Sequence, residues 1–135
     1  MEQKSKVAII LSDNSDLFEV LESSLDKCGF SCLQYRDISE CLRDIEDKEI
    51  EFVTIDVDSV GVQARELITS IRTNEEKVSI KHKCPILITG SVASIFNRYF
   101  THFDNVKFIE APFEEAILVQ KIKSFFESED TSHLE

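Results

Sequence analysis

The sequence predicts an α/β domain built on a parallel sheet with helices on both faces. Three observations carry this. Five short apolar runs alternate along the chain with five segments whose apolar residues recur at helical spacing; the runs end abruptly in polar residues; and no repeat or linker interrupts the alternation. At 135 residues, 42% hydrophobic and 30% charged, the chain is long enough for one domain with a real core, and its balance fits neither a disordered chain nor a membrane protein.

Lys6 to Leu11 is a β-branched apolar run that stops at Ser12-Asp13-Asn14, the pattern of a strand buried on both faces. From Ser15 onward Leu17, Val20, Leu21, Ser24, Leu25 and Cys28 recur at helical spacing. Asp16 and Glu19 favour the positive end of that helix dipole, and Gly29 ends the helix. Phe30 to Tyr35 is the second strand, and Asp37-Ile38-Ser39-Glu40 reads as a capping box opening a helix that buries Ile38, Cys41, Leu42 and Ile45. Ile50 to Ile55 is the third strand; it stops at Asp56-Val57-Asp58-Ser59, and Gly61 supplies the turn into a helix marked by Ala64, Leu67, Ile68 and Ile71. Thr73 to Lys83 carries charge without clear periodicity and reads as a loop or frayed helix end, closed by Pro85. Ile86 to Ile88 is the fourth strand, running into Thr89-Gly90-Ser91, and Val92, Ile95, Phe96, Tyr99 and Phe103 mark a fourth helix. Val106 to Ile109 is the fifth strand, and after Ala111-Pro112 a fifth helix carries Leu118, Ile122 and Phe125. A single domain is expected over 1–126, followed by an acidic, disordered tail over 127–135.

Composition excludes several functions. With 15 Lys plus Arg against 26 Asp plus Glu, the net charge of −11 repels a phosphate backbone. Lys77, Lys81, His82 and Lys83 are the only local basic cluster, so nucleic-acid binding is not expected. The longest aliphatic run, Val7 to Leu11, is too short to cross a bilayer, and no secretory leader pattern follows Met1, so a cytoplasmic location without membrane contact is expected. Cys28, Cys32, Cys41 and Cys84 include no CxxC pair, and His82, His102 and His133 do not fall at ligand spacing near them. They read as reduced, mostly buried thiols. With only Gly29, Gly61 and Gly90, neither a dinucleotide fingerprint nor a P-loop can be written anywhere.

In sheets of this kind ligands bind at the carboxyl ends of the strands, where strand order reverses. The residues there are Ser12 and Asp13, Asp56 and Asp58, Thr89 and Gly90, Glu110 and Ala111. Converging carboxylates of Asp13 and Asp56 would suit Mg²⁺ with several waters retained. Asp56 would be a nucleophile that forms an aspartyl phosphate, and Thr89 would offer its hydroxyl to a phosphoryl oxygen. The plainer alternative for each residue alone is that Asp ends strands and caps helices, and that Thr89 merely begins a loop.

Taken together, the motifs over residues 6–126 resemble the response-regulator receiver family of CheY-like domains. VAIILSDN is similar to the family's first strand with its acidic pair, EFVTIDVDSVG to the strand and loop bearing the phosphoacceptor, ILITGS to the strand with the switch hydroxyl, and FIEAPF to the Lys-Pro-Phe loop. The resemblance implies a flavodoxin-like, doubly wound five-stranded sheet of order 2-1-3-4-5 with five helices. It implies Asp56 as phosphoacceptor, Thr89 as switch hydroxyl with the small Gly90 behind it, and Phe108 as aromatic switch. It implies Mg²⁺ held by Asp13, Asp56 and the main-chain carbonyl of Asp58. It further implies a histidine kinase or phosphotransfer protein as phosphodonor in a bacterial two-component pathway, and no enzymatic activity beyond self-phosphorylation and dephosphorylation at Asp56.

Two departures weaken that chemistry. Ser12 replaces the leading acid of the pair, which lowers the expected Mg²⁺ affinity, and Ala111 replaces the lysine that would pair with the phosphoryl group. Lys107 and Lys83 are the conceivable substitutes, and Ser59-Val60 stands where Met-Pro is usual. Three readings follow: an atypical receiver still phosphorylated at Asp56; a pseudo-receiver that signals only by being bound; and, more remotely, a haloacid-dehalogenase-like phosphatase, whose first two motifs VTIDVDSV and ILITGS also resemble. In the last, Asp58 would be the acid/base, but after Thr89 only Glu110 offers an acid at a strand end. Ile95, Phe96, Tyr99, Phe100 and Phe103 spread over more than one core-facing stripe. The resemblance places a downstream target, or a second copy in a homodimer, on the fourth helix, fifth strand and fifth helix. The chain is read either as a stand-alone shuttle or as a fragment of a longer protein.

Overall fold

The computed structural model describes residues 6–45, 49–77, 83–92, 98–100 and 102–134. Strands β1 (Lys6–Leu11), β2 (Phe30–Tyr35), β3 (Phe52–Asp56), β4 (Ile86–Gly90) and β5 (Val106–Glu110) form one sheet of order β2-β1-β3-β4-β5, every neighbour parallel. Among the described residues, four helices of eight or more residues cover it: α1 (Ser15–Lys27), α2 (Ile38–Ile45), α3 (Ala64–Lys77) and a C-terminal helix (Glu115–Leu134). A short helical turn, Val57–Val60, follows β3 directly.

Strict alternation along the strands divides the core between two faces. Ala8, Ile10, Phe52, Leu87 and Ile109 meet Leu21 and Leu25 of α1 and Leu118, Ile122 and Phe125 of the C-terminal helix. Ile9, Leu11, Val53, Ile55, Ile86 and Ile88 meet Cys41 of α2 and Ala64, Leu67, Ile68 and Ile71 of α3. Both faces of β1, β3 and β4 are therefore dry, which is why these strands read as continuous apolar runs. Because β1 and β3 lie side by side while β2 and β4 diverge to either side, strand order reverses between Leu11 and Asp56. The crevice at their carboxyl ends opens there.

Local signals set the element ends. Asn14 caps α1, its Oδ1 accepting the Leu17 N–H at 3.1 Å. Gly29, at φ +92°, makes the left-handed turn into β2. Asp37 Oδ1 accepts the Ser39 N–H at 2.8 Å at the start of α2.

Four expectations are corrected. The third and fourth strands run one and two residues further than read, placing Asp56, Thr89 and Gly90 inside the ladder. The helix after Gly61 continues to Lys77 instead of giving way at Thr73, because Arg72 and Glu75 are buried and paired, so charge there marks an inward face. The C-terminal helix continues through Leu134, past the point where the acidic run predicts loss of order; neither Pro nor Gly follows Pro112 to break it. Of the cysteines only Cys41 is fully buried, the others being half-buried free thiols. Ile95 and Phe96 lie outside the described residues, as do Lys81 and His82; of the predicted fourth helix, Arg98 and Tyr99 are helical. No described helix is long and apolar enough to cross a membrane.

Candidate functional site

Asp56 closes β3 and is 3% exposed, yet its carboxylate is well supplied with donors. Oδ2 accepts the Ser12 hydroxyl at 2.8 Å and lies 2.7 Å from the Ser59 hydroxyl, while Oδ1 accepts the Asp58 N–H at 3.1 Å. The last bond arises because Asp56 also caps the helical turn that follows it. Ser12, at the end of β1, is itself fixed by accepting the Asn14 N–H at 3.0 Å.

Asp13 is exposed beside this pair. Its Oδ1 lies 2.6 Å from Ser59 Oγ and its N–H donates to the same oxygen at 3.2 Å. Ser59 thus joins Asp13 to Asp56. On the β4 side of Asp56, the Asp58 carboxylate accepts the Ser91 N–H at 3.0 and 3.2 Å.

Thr89 is paired in register with Asp56 on the adjacent strand and is fully buried. Among the described residues its Oγ1 has no hydrogen-bond partner. A buried hydroxyl left without a partner costs about 1–3 kcal/mol, so such an atom calls for an explanation. Thr54 Oγ1 shares that condition, but it lies two residues further back in β3, within the sheet. Gly90 follows Thr89, and a Cβ there would meet Val57 Cγ1 at 2.5 Å and Phe108 Cε1 at 3.6 Å. The half-buried Phe108, in register with Ile88, packs on the α2–α3 face of the core.

The structure brings Ser12, Asp13, Asp56, Asp58 and Thr89 to one strand-end cluster, as the sequence predicts, and adds Ser59. The Asp-x-x-Ser spacing within a helical turn was the available signal for it, since residues three apart share a face. Neither candidate substitute for the missing lysine reaches the cluster. Lys107 Nζ donates to Ser124 Oγ at 2.9 Å and lies 4.8 Å from the Phe125 ring centroid, against the C-terminal helix. Lys83 precedes β4, at its opposite end, 3.9 Å from Asp104. Among the described residues no lysine or arginine pairs with Asp13, Asp56 or Asp58.

The described residues contain no group of three His, Cys, Asp or Glu side chains able to hold a metal ion. Magnesium does not require one, being held in many sites by one or two carboxylates with water completing the shell. Two carboxylates that converge on a single hydroxyl with one proton between them fit a dication.

Of the expected contact residues, Phe100 is corrected: it is fully buried in the α2–α3 core. Tyr99 and Phe103 are half-buried against the same cluster. An exposed groove of about 640 Å³ does lie between β5 and the C-terminal helix, lined by Phe108, Glu110, Pro112, Phe113, Ile117 and Lys121.

Comparison with solved structures settles the fold. The receiver domain of a sensor histidine kinase from Pseudomonas aeruginosa, with a magnesium ion coordinated in its active-site cleft, superposes with a TM-score of 0.73 at 16% identity, covering 90% of this chain and 98% of that one. The chain has the receiver fold. A response regulator receiver protein from Sinorhizobium medicae gives 0.71 at 16% identity, over 90% and 94% of the two chains. The chemotaxis response regulator CheY4 of Vibrio cholerae gives 0.70 at 12% identity, over 90% and 99%. No family model matches the sequence, and no curated protein matches it. At such low identity the likeness shows the fold alone, so function rests on the residues at the crevice.

Proposed function

We infer that the protein is an atypical receiver domain of two-component signalling that accepts a phosphoryl group on Asp56. The observation that carries this is the fully buried Thr89 hydroxyl, in register with Asp56 and without a partner among the described residues. A donor left unused beside a carboxylate suits an anionic group that is present only part of the time. Asp56 Oδ1, with one donor against two close hydroxyls at Oδ2, keeps the more available lone pairs and is the attacking oxygen. It forms a bond to phosphorus as the donor's leaving group departs, giving an acyl phosphate, and Thr89 donates to a phosphoryl oxygen.

Asp13, Asp56 and the main-chain carbonyl of Asp58 would hold Mg²⁺, which offsets the charge of the incoming phosphoryl group. Ser12 holds Asp56 in place but adds no negative charge, so cation affinity is low. The phosphodonor is a histidine kinase or phosphotransfer protein. The groove between β5 and the C-terminal helix, with Ile117 48% exposed, is the surface for a downstream protein.

One observation favours a second reading, a pseudo-receiver that signals by being bound. Lys107 is turned toward the C-terminal helix, so among the described residues no ammonium replaces the one lost at Ala111. Amide NMR spectra with Mg²⁺, and then with Mg²⁺ and beryllofluoride, separate the two. The receiver reading expects shifts at Asp13, Asp56, Thr89 and Phe108 that vanish in Asp56→Asn. Spectra unchanged by either addition would establish the pseudo-receiver.

A further inference from the structure

Ser59 stands at the centre of the site although the chemistry above does not call on it. Its three polar contacts are all to the two acids: Oγ lies 2.6 Å from Asp13 Oδ1 and 2.7 Å from Asp56 Oδ2, and accepts the Asp13 N–H at 3.2 Å. A hydroxyl has one proton, so it donates to one carboxylate at a time and faces the other with a lone pair. Ser12, by contrast, touches Asp56 but not Asp13. Only Ser59, among the described residues, bridges the pair.

A hard dication draws on the same two carboxylates, each of which it approaches through lone pairs. The hydroxyl and the cation are therefore competitors for Asp13 Oδ1 and Asp56 Oδ2. Building on the reading of the Asp13–Asp56 site given above, we propose that Ser59 is a positioning residue that sets divalent-cation occupancy: its hydroxyl holds the two carboxylates together in the cation-free protein and must release them when a cation enters. Removing the hydroxyl leaves two negative groups converging with no donor between them, and cation entry then has no Ser59 hydrogen bond to break, the Ser12 bond to Asp56 being common to both proteins.

The test is a calorimetric titration of Mg²⁺ alone into the wild-type protein, Ser59→Ala and Ser59→Thr, with amide shifts of Asp13 and Asp58 followed in parallel. Ser59→Ala is expected to bind about five- to tenfold more tightly, the net scale of one ordinary hydrogen bond. Ser59→Thr, which keeps the hydroxyl, is expected to stay within about twofold of wild type, a shift that side-chain bulk alone would not reproduce. Equal or weaker binding by Ser59→Ala, or equal tightening in both variants, with wild-type binding intact, overturns the role of Ser59 and leaves the Asp13–Asp56 site standing. Absence of binding in all three proteins overturns both.

Discussion

The Asp58 carboxylate accepts the backbone N–H of Ser91 at 3.0 and 3.2 Å, tying the turn after β3 to the turn after β4. This contact runs beside the Asp56–Thr89 register pair, so it holds the start of the loop that leaves β4 just after Thr89 and Gly90. Both partners are exposed, which limits its value to about 1 kcal/mol or less. Asp58→Ala is therefore expected to raise the hydrogen-exchange rate of the Ser91 amide several-fold while leaving the global unfolding free energy within about 1 kcal/mol of wild type. An unchanged Ser91 exchange rate would remove the tie.

Gly90 is required by space. A Cβ at this position would sit 2.5 Å from Cγ1 of the buried Val57, closer than two carbons tolerate. Gly90→Ala is expected to destabilise the domain by about 1–3 kcal/mol in chemical denaturation. Shortening the obstructing side chain should relieve it, so Gly90→Ala combined with Val57→Ala should be less damaging than the two single effects added together. Strict additivity would show that the clash is not the cause.

A buried ion pair anchors the far end of the sheet. Arg72 Nη1 donates to Glu75 at 3.1 and 3.3 Å, Arg72 Nη2 donates to the Asp104 carbonyl at 2.7 Å, and Glu75 Oε2 accepts the Cys84 N–H at 2.8 Å. Glu75→Ala leaves a buried guanidinium without its counter-ion and is expected to cost about 3–5 kcal/mol. Replacing both residues, as Arg72→Met with Glu75→Ala, should recover a good part of that loss. Urea midpoints of the three variants and wild type decide it.

The thiols give a pH dependence with a defined sign. Burial pushes Cys41 and Cys84 up to about 12, with the nearby Asp44 and Glu75 carboxylates adding to the effect. In the unfolded chain these thiols ionise near the ordinary value of 9.0. Above pH 9 the folded state thus binds more protons than the unfolded state, and stability falls as pH rises from about 9 toward 12. The melting temperature should decline over this range, and Cys41→Ala with Cys84→Ala should flatten the decline. A slope unaffected by the double substitution would assign it to other groups.

The sequence revealed the frame better than the site. Alternating apolar runs and helical periodicity located every strand, because burial on both sheet faces leaves an unbroken hydrophobic signature in β1, β3 and β4. Charge misled in two places. Glu75 falls in the charged stretch Thr73 to Lys83 that reads as a loop or frayed helix end, although it pairs with Arg72 inside, and the acidic run after Phe126 gave no sign that the helix continues. Phe100 looked available for contact because an aromatic on a helix is compatible with either the core or a partner. At the crevice, Asp13, Asp56 and Thr89 were legible from their places at strand ends. Ser59 was legible only as the neighbour three residues after Asp56; its contact with Asp13 was not, because it relates residues 46 positions apart in the chain.

The role of Asp56 as phosphoacceptor is tested most directly by intact-protein mass spectrometry after incubation with phosphoramidate and Mg²⁺. The carboxylate oxygen of Asp56 would attack phosphorus, the P–N bond would break, and ammonia would leave. The predicted result is the gain of a single phosphoryl group, lost on mild alkaline hydrolysis and absent in Asp56→Asn. No gain of mass in the folded wild-type protein, or an equal gain in Asp56→Asn, would contradict it.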